Sequence, residues 1–241
     1  MNGSDPAFGI VTIDNCDREP IRIPGSIQPH GALLVLSRDL LDVVQAAGAT
    51  LPFIGLSPAE LRGRSIRELF SAELIAHLEK NAAAAADPSK PTRAFRFDAF
   101  DGSGTIGVTA LAQGPLLILE LEQLKGEALF DPLSLVQSMV HNMQAIHGSL
   151  ASCQMAAEQV RAVSGFDRVF VYRFLSDGAR EVVAASAAEG RESYPGLRYP
   201  ASDIPRQARE LYLQNWLRII PDAKYKPAPL HPDVNPLTSL P

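Results

Sequence analysis

The sequence predicts an α+β protein whose antiparallel sheets carry flanking helices. Three observations predict it. Apolar runs of strand length come in groups joined by short turns, as in "RAFRFDAF", Asp101-Gly102-Ser103-Gly104, "TIGVTALA", Gly114-Pro115 and "LLILELEQL", which reads as a meander. Helical patterns lie between those groups instead of alternating with single strands. The length of 241 residues, with 46% hydrophobic and 20% charged residues, suits two globular domains.

Charge and composition exclude several classes. A net charge of -5 leaves no basic footprint, so neither nucleic acid nor an anionic membrane surface is an expected partner. The opening "MNGSDPAFGI" has no basic and apolar leader pattern, and the runs "ALLVL" and "PLLIL" are far too short to span a bilayer, so the expected location is cytoplasmic. Cys16 and Cys153 stand far apart with no metal-ligand spacing around them. There is no nucleophile elbow, phosphate loop or H-E-x-x-H, and His30, His77, His141, His147 and His231 are scattered, so a non-enzymatic chain is expected.

In chain order, Ile27 to Ser37 reads as a strand and "LDVVQAAG" (41–48) as its hairpin partner. Short helical pieces follow over 50–62, with Ser57-Pro58 as a start signal, and "SIRELFSAELIAHLEKNAAAAA" (65–86) reads as one amphipathic helix. With the three-strand meander this makes a five-stranded sheet domain over 17–124, preceded by an arm (1–16) and followed by a linker (125–132).

A single long helix is expected from Pro132 to Ser164, because Met139, Met143, Ile146, Leu150, Cys153, Ala157 and Val160 form an unbroken stripe at steps of three and four. That stripe serves either as core or as a dimer seam. The second domain (133–241) then continues with strands "DRVFVYRF" (167–174) and "REVVAASA" (180–187), a helix from Ile204 to Gln214, and "WLRIIPD" as a third strand. Ser202 or Asp203 is suited to cap that helix, with Pro205 in its first turn. Beyond it, six prolines in the last 21 residues include no closing element, so the second sheet is expected to keep an open edge and the domain to be incomplete.

Two stretches carry candidate chemistry. In "SYPGLRYPASDIP" the prolines at 200 and 205 fix the backbone on either side of Asp203, a rigidity suited to presenting a polar group or simply to capping a helix. Cys16, in the polar arm "DNCDREP", is either incidental or a reactive thiol beside Arg18.

"NCDREPIRIPGSIQPHGALLVL" (15–36), "FDRVFVYRF" and "RYPASDIPRQARELY" together resemble the signature motifs of bacteriophytochromes, in their order and separation. The resemblance covers essentially the whole chain. It implies a PAS domain followed by a GAF domain, with the arm threaded through the loop after "RIIPD" near Ile27 in a figure-of-eight knot. It further implies biliverdin as cofactor and red/far-red light as the stimulus.

Under that resemblance Cys16 is the attachment thiol for a vinyl group, Arg218 pairs with a propionate, and the backbone carbonyl of Asp203 accepts from the pyrrole N–H groups. Tyr172, Tyr194 and Tyr199 surround the ring that rotates, while Ile204, Pro205 and Tyr212 line the flat face. Tyr194-Pro195-Gly196 departs from the aromatic, aliphatic, glycine pattern usual there. The resemblance also implies an output module, such as a histidine kinase, outside this chain, and a homodimer formed through the helix near 133–164. A PAS–GAF interaction module without chromophore, or a GAF pocket for a small metabolite, are the competing readings.

Overall fold

A computed structural model describes residues 12, 15, 19, 21, 23–84, 92–124, 132–144, 146–214 and 217–239. The chain forms two compact units, one of residues 20–126 with 212–241, the other containing 127–211. Among the described residues no helix is long and apolar enough to cross a membrane. The architecture is α+β with antiparallel sheets, as the sequence predicts.

The first unit is built on a five-stranded sheet. Its strands are β2 (Gly31–Ser37), β3 (Val43–Gly48), β4 (Thr92–Asp98), β5 (Thr105–Gln113) and β6 (Leu116–Gln123), in the order β3-β2-β6-β5-β4, preceded by the two-residue β1 (Ser26–Ile27). Period-two alternation sends one side of each strand into the core, where Leu34, Leu36, Leu117, Leu119 and Leu121 are sealed from solvent. Each such leucine contributes roughly 1.5–3 kcal/mol of transfer free energy.

The helical insert between β3 and β4 covers that core face. It comprises α1 (Thr50–Ile54), α2 (Pro58–Leu61), a 3-10 turn over Ile66–Glu68 and α3 (Ala72–Ala84), which supply buried Phe53, Leu61, Ile66 and Leu78. The start signal at Ser57 is realised as a reciprocal cap. Ser57 Oγ accepts from the Glu60 backbone N–H, and the Ser57 N–H donates to the Glu60 carboxylate at 2.9 Å.

The single helix expected over 65–86 is instead two pieces. Ser71 restarts the chain as a helix cap, its hydroxyl accepting from the Leu74 N–H and its carbonyl from the Ile75 N–H. An apolar period can run through such a break, because periodicity records which face is buried and not whether the backbone is continuous.

The long helix expected over 132–164 is likewise two, α4 (Pro132–Gln144) and α5 (Ser149–Ser164). Gly148 at the start of α5 has φ 106°, a backbone region that no helical residue occupies. Of the stripe, Ala157 is fully buried, whereas Leu150 and Val160 remain exposed. His147 consequently lies off the helices.

The second unit's sheet has three strands, β7 (Arg168–Phe174), β8 (Arg180–Ala187) and β9 (Arg198–Tyr199), in that order. Helix α6 (Arg206–Gln214) follows a one-turn 3-10 helix at Ala201–Asp203. The third strand is thus Arg198–Tyr199, and Leu217–Ile220 is exposed and outside any strand, which differs from the strand expected at "WLRIIPD". A strand exists only where another backbone supplies its ladder, and no described residue does so there.

The proline-rich tail has a structural role that its composition conceals. Its β10 (Ala228–Pro229) pairs antiparallel with β1, setting Ile27 opposite Ala228. His231 then exchanges two backbone hydrogen bonds with Ala46, covering the edge of the sheet at β3.

Candidate functional site

The face that carries most of the candidate residues starts from strand alternation. Phe170 and Tyr172 lie two apart on β7 and project to the same side, their ring centroids 6.2 Å apart. Tyr194 and Tyr199 extend the row at its two ends. Tyr194 stands 5.7 Å from Phe170, and Tyr199 meets Tyr172 edge-on at 6.1 Å and 85°. The result is four rings in line, half-buried overall, with Tyr172 still 37% exposed.

Two cations bracket the row. The Arg168 guanidinium lies 5.7 Å from the Tyr194 ring centre and donates to its hydroxyl, which itself donates to the Glu192 carboxylate at 2.6 Å. That last hydrogen bond to Glu192 is the main reason the Tyr194 phenol is held above its ordinary pKa. At the other end, Arg180 faces both Tyr172 and Tyr199.

Asp203 closes the same end. It lies in the 3-10 turn after Pro200, whose carbonyl accepts the Asp203 N–H at 3.2 Å, and its carboxylate pairs with Arg180 at 3.5 Å. Helix α6 starts at Arg206, so Pro205 and not Ser202 or Asp203 stands directly before it, and the Asp203 carboxylate makes the ion pair. Helix α6 begins one residue after Pro205, whose carbonyl accepts the first N–H groups of the turn from Ala208 and Arg209. Ile204 and Pro205 follow Asp203 as half-buried residues, Ile204 in extended backbone.

The structure thus brings Tyr172, Tyr194, Tyr199 and Asp203 onto one face of the three-stranded unit, with Ile204 and Pro205 adjoining in sequence. The unit boundary falls after Leu211, so Tyr212 and Arg218 belong to the five-stranded unit. There the exposed Arg218 faces the Tyr212 ring at 6.0 Å and lines a groove of about 570 Å³ together with Gln28, Glu120 and Tyr225. No ion pair engages Arg218 among the described residues. Cys16 lies outside the described residues, as does nearly all of the arm whose threading the knot requires.

Sequence reasoning missed Arg180. Its signal was positional: it follows the tight Asp177-Gly178 turn and opens β8, where the antiparallel register sets it directly opposite Tyr199. Arg209 secures that turn by donating to the Gly178 carbonyl at 2.8 Å, and Gly178 has φ 83°, a conformation that favours glycine.

Comparison with known proteins bears on the family and the fold. The PAS fold family matches residues 16–124. Cyanobacterial phytochrome B of Nostoc sp. is 42% identical over 96% of this chain and 31% of its own length, and the bacteriophytochrome of Pseudomonas aeruginosa is 35% identical over 95% and 31%. The chain spans about a third of the length of the curated relatives that it matches.

Among solved structures, the chromophore-binding domain of the bacteriophytochrome RpBphP3 from R. palustris superposes with a TM-score of 0.82 at 35% identity, covering 94% of this chain and 74% of that one. The chromophore-binding domain of a Stigmatella aurantiaca phytochrome gives 0.80 at 36% identity, covering 90% and 72%. By fold, by order of motifs and by identity along nearly its whole length, this chain belongs to the bacteriophytochrome family.

Proposed function

We propose that the chain is the chromophore-bearing part of a red/far-red light receptor that holds biliverdin and passes a light-driven change to an output module. The observation that carries this reading is the row Tyr194–Phe170–Tyr172–Tyr199 ending at Asp203, in a chain of this family. The residues fit the group. A row of half-exposed aromatic rings offers an apolar wall to a flat conjugated ligand, and an exposed arginine with no ion-pair partner among the described residues suits a carboxylate.

In this reading Tyr172, Tyr194 and Tyr199 flank the rotating ring, and the Asp203 carbonyl accepts from the pyrrole N–H groups. Ile204, Pro205 and Tyr212 lie along the flat face, and Arg218 binds a propionate through its planar fork. Cys16 anchors the ligand by adding its S–H across a vinyl double bond, giving a thioether. Isomerisation under light is the chemistry the tetrapyrrole supplies; the protein contributes orientation and electrostatics.

The domain plan of this reading is an arm over 1–16, a PAS domain over 17–124 and a GAF domain from 133 onward, in a cytoplasmic protein. Self-association belongs to it as well, because Leu133, Val136, Val140 and Met143 form an exposed apolar stripe along α4. Mixing the purified chain with biliverdin tests the central claim. A far-red band and a fluorescent band on a denaturing gel, both lost in Cys16→Ala, are expected. A chain that produces no band with biliverdin overturns it.

A further inference from the structure

Arg180 lies outside every motif that identified the family, yet it is the most enclosed cation on the ring face. Its side chain is 13% exposed, and its guanidinium carbon stands 5.2 Å from the centre of the Tyr172 ring and 5.0 Å from that of Tyr199. One terminal nitrogen faces the Asp203 carboxylate at 3.5 Å. The Nε atom is sealed from solvent and has no hydrogen-bond partner among the described residues.

Burying an arginine with an unfilled donor is costly, so the remaining contacts must hold it there. Those contacts are two ring faces and one carboxylate, arriving from three separate segments: β7, β9 and the turn before α6. Tyr199 is fixed to Arg180 by strand register, and Tyr172 is fixed to Tyr199 by the edge-on ring contact. A planar, delocalised cation can satisfy two ring faces and a carboxylate together, whereas a lysine ammonium offers only a point charge.

We propose that Arg180 is the positioning residue of this face: it clamps Tyr172, Tyr199 and Asp203 into one rigid unit and thereby limits how freely a ligand ring beside those tyrosines turns. The part concerning the ligand rests on the biliverdin reading above. The clamp itself does not.

The test uses the full chain with and without biliverdin, comparing wild type with Arg180→Lys, and with Arg180→Met should the lysine variant fail to fold. Without ligand, NMR of the wild type is expected to show a protected Arg180 Nε–H resonance displaced upfield by the rings, and slow ring flips for Tyr172 and Tyr199. In Arg180→Lys those flips accelerate at least tenfold at unchanged melting temperature. With biliverdin, the same variant loses at least half of its dark-state fluorescence yield, as a less confined ring dissipates more excitation by rotation.

Unchanged flip rates in a folded variant overturn the clamp, and accelerated flips with unchanged fluorescence overturn its role toward the ligand. If the wild type takes up no biliverdin, the light-sensing reading fails by itself, and the ligand-free flip rates still decide whether Arg180 clamps the tyrosines.

Discussion

Asn235 donates from its side-chain amide to Oε1 of Gln45, 190 positions earlier, at 2.7 Å in the interior of the five-stranded unit. The Gln45 amide is oriented by a second bond, from its Nε2 to the Pro232 carbonyl at 2.9 Å. Asn235 Oδ1 accepts in turn from the N–H groups of Leu237 and Thr238. Both side chains are only 3% exposed, so each polar atom depends on the others. Asn235→Ala leaves Gln45 Oε1 buried without its donor and is expected to lower stability by about 1–3 kcal/mol. A urea titration of the full chain checks this.

The reciprocal cap at α2 makes a second prediction. Ser57→Ala removes the hydroxyl that accepts from the first turn and should cost about 1 kcal/mol. Hydrogen bonds from Ser57, first its side chain and then its backbone, hold the Glu60 carboxyl below its ordinary pKa. A depressed acid stabilises the fold above its unfolded-state pKa and loses that contribution as the pH falls through its folded-state value. The difference between wild type and Ser57→Ala should therefore narrow on acidification below about pH 4, near the ordinary carboxyl value. NMR titration of Glu60 should show its pKa returning upward in the variant.

Gly48 ends β3 at φ 78°, and a Cβ placed there meets the Gly31 carbonyl and lies 2.8 Å from Ile27 Cδ1. Gly48→Ala combines a left-handed backbone with a backbone collision, and neither can relax without parting β2 from β3. The expected loss is about 3 kcal/mol or more, read as a lower denaturant midpoint with little change in slope.

Tyr194 offers a spectroscopic test of the ring face. Its phenol is pushed above the ordinary tyrosine pKa chiefly by its hydrogen bond to Glu192. The raised value means that the contribution is complete below the unfolded tyrosine pKa and is lost as the pH rises through the folded one. Ultraviolet titration should thus contain a late step that belongs to Tyr194. Tyr194→Phe should abolish that step, and Glu192→Gln should move it to lower pH. A late step that survives Tyr194→Phe rejects the assignment.

Local chemistry was legible in the sequence, and partnerships across long separations were not. The residues of β8 read correctly because "REVVAASA" is bounded by a turn and holds a short unbroken apolar run from Val182 to Ala185. Ser57-Pro58 read correctly because a cap needs only its own first turn. The breaks at Ser71 and Gly148 were hidden because an apolar stripe continues across them. Leu217–Ile220 has strand-like composition without a neighbouring backbone, and Ala228–Pro229 has the reverse. On the ring face the tyrosines came from motifs, whereas Arg180 acquires its role only when register sets it beside Tyr199.

The two backbone bonds between His231 and Ala46 also impose an order in time. A ribosome delivers Ala46 about 180 residues before the residue that pairs with its outer side, and at synthesis rates of about 5–20 residues per second that interval lasts roughly 10–35 s. Throughout it the Ala46 N–H and C=O face outward on the nascent edge, whereas Val43 finds its partners in Gly63 and Arg64 soon after it emerges. Chaperone engagement, slower expression temperatures or fusion partners that shield β3 should therefore change the yield of folded protein more than its final stability.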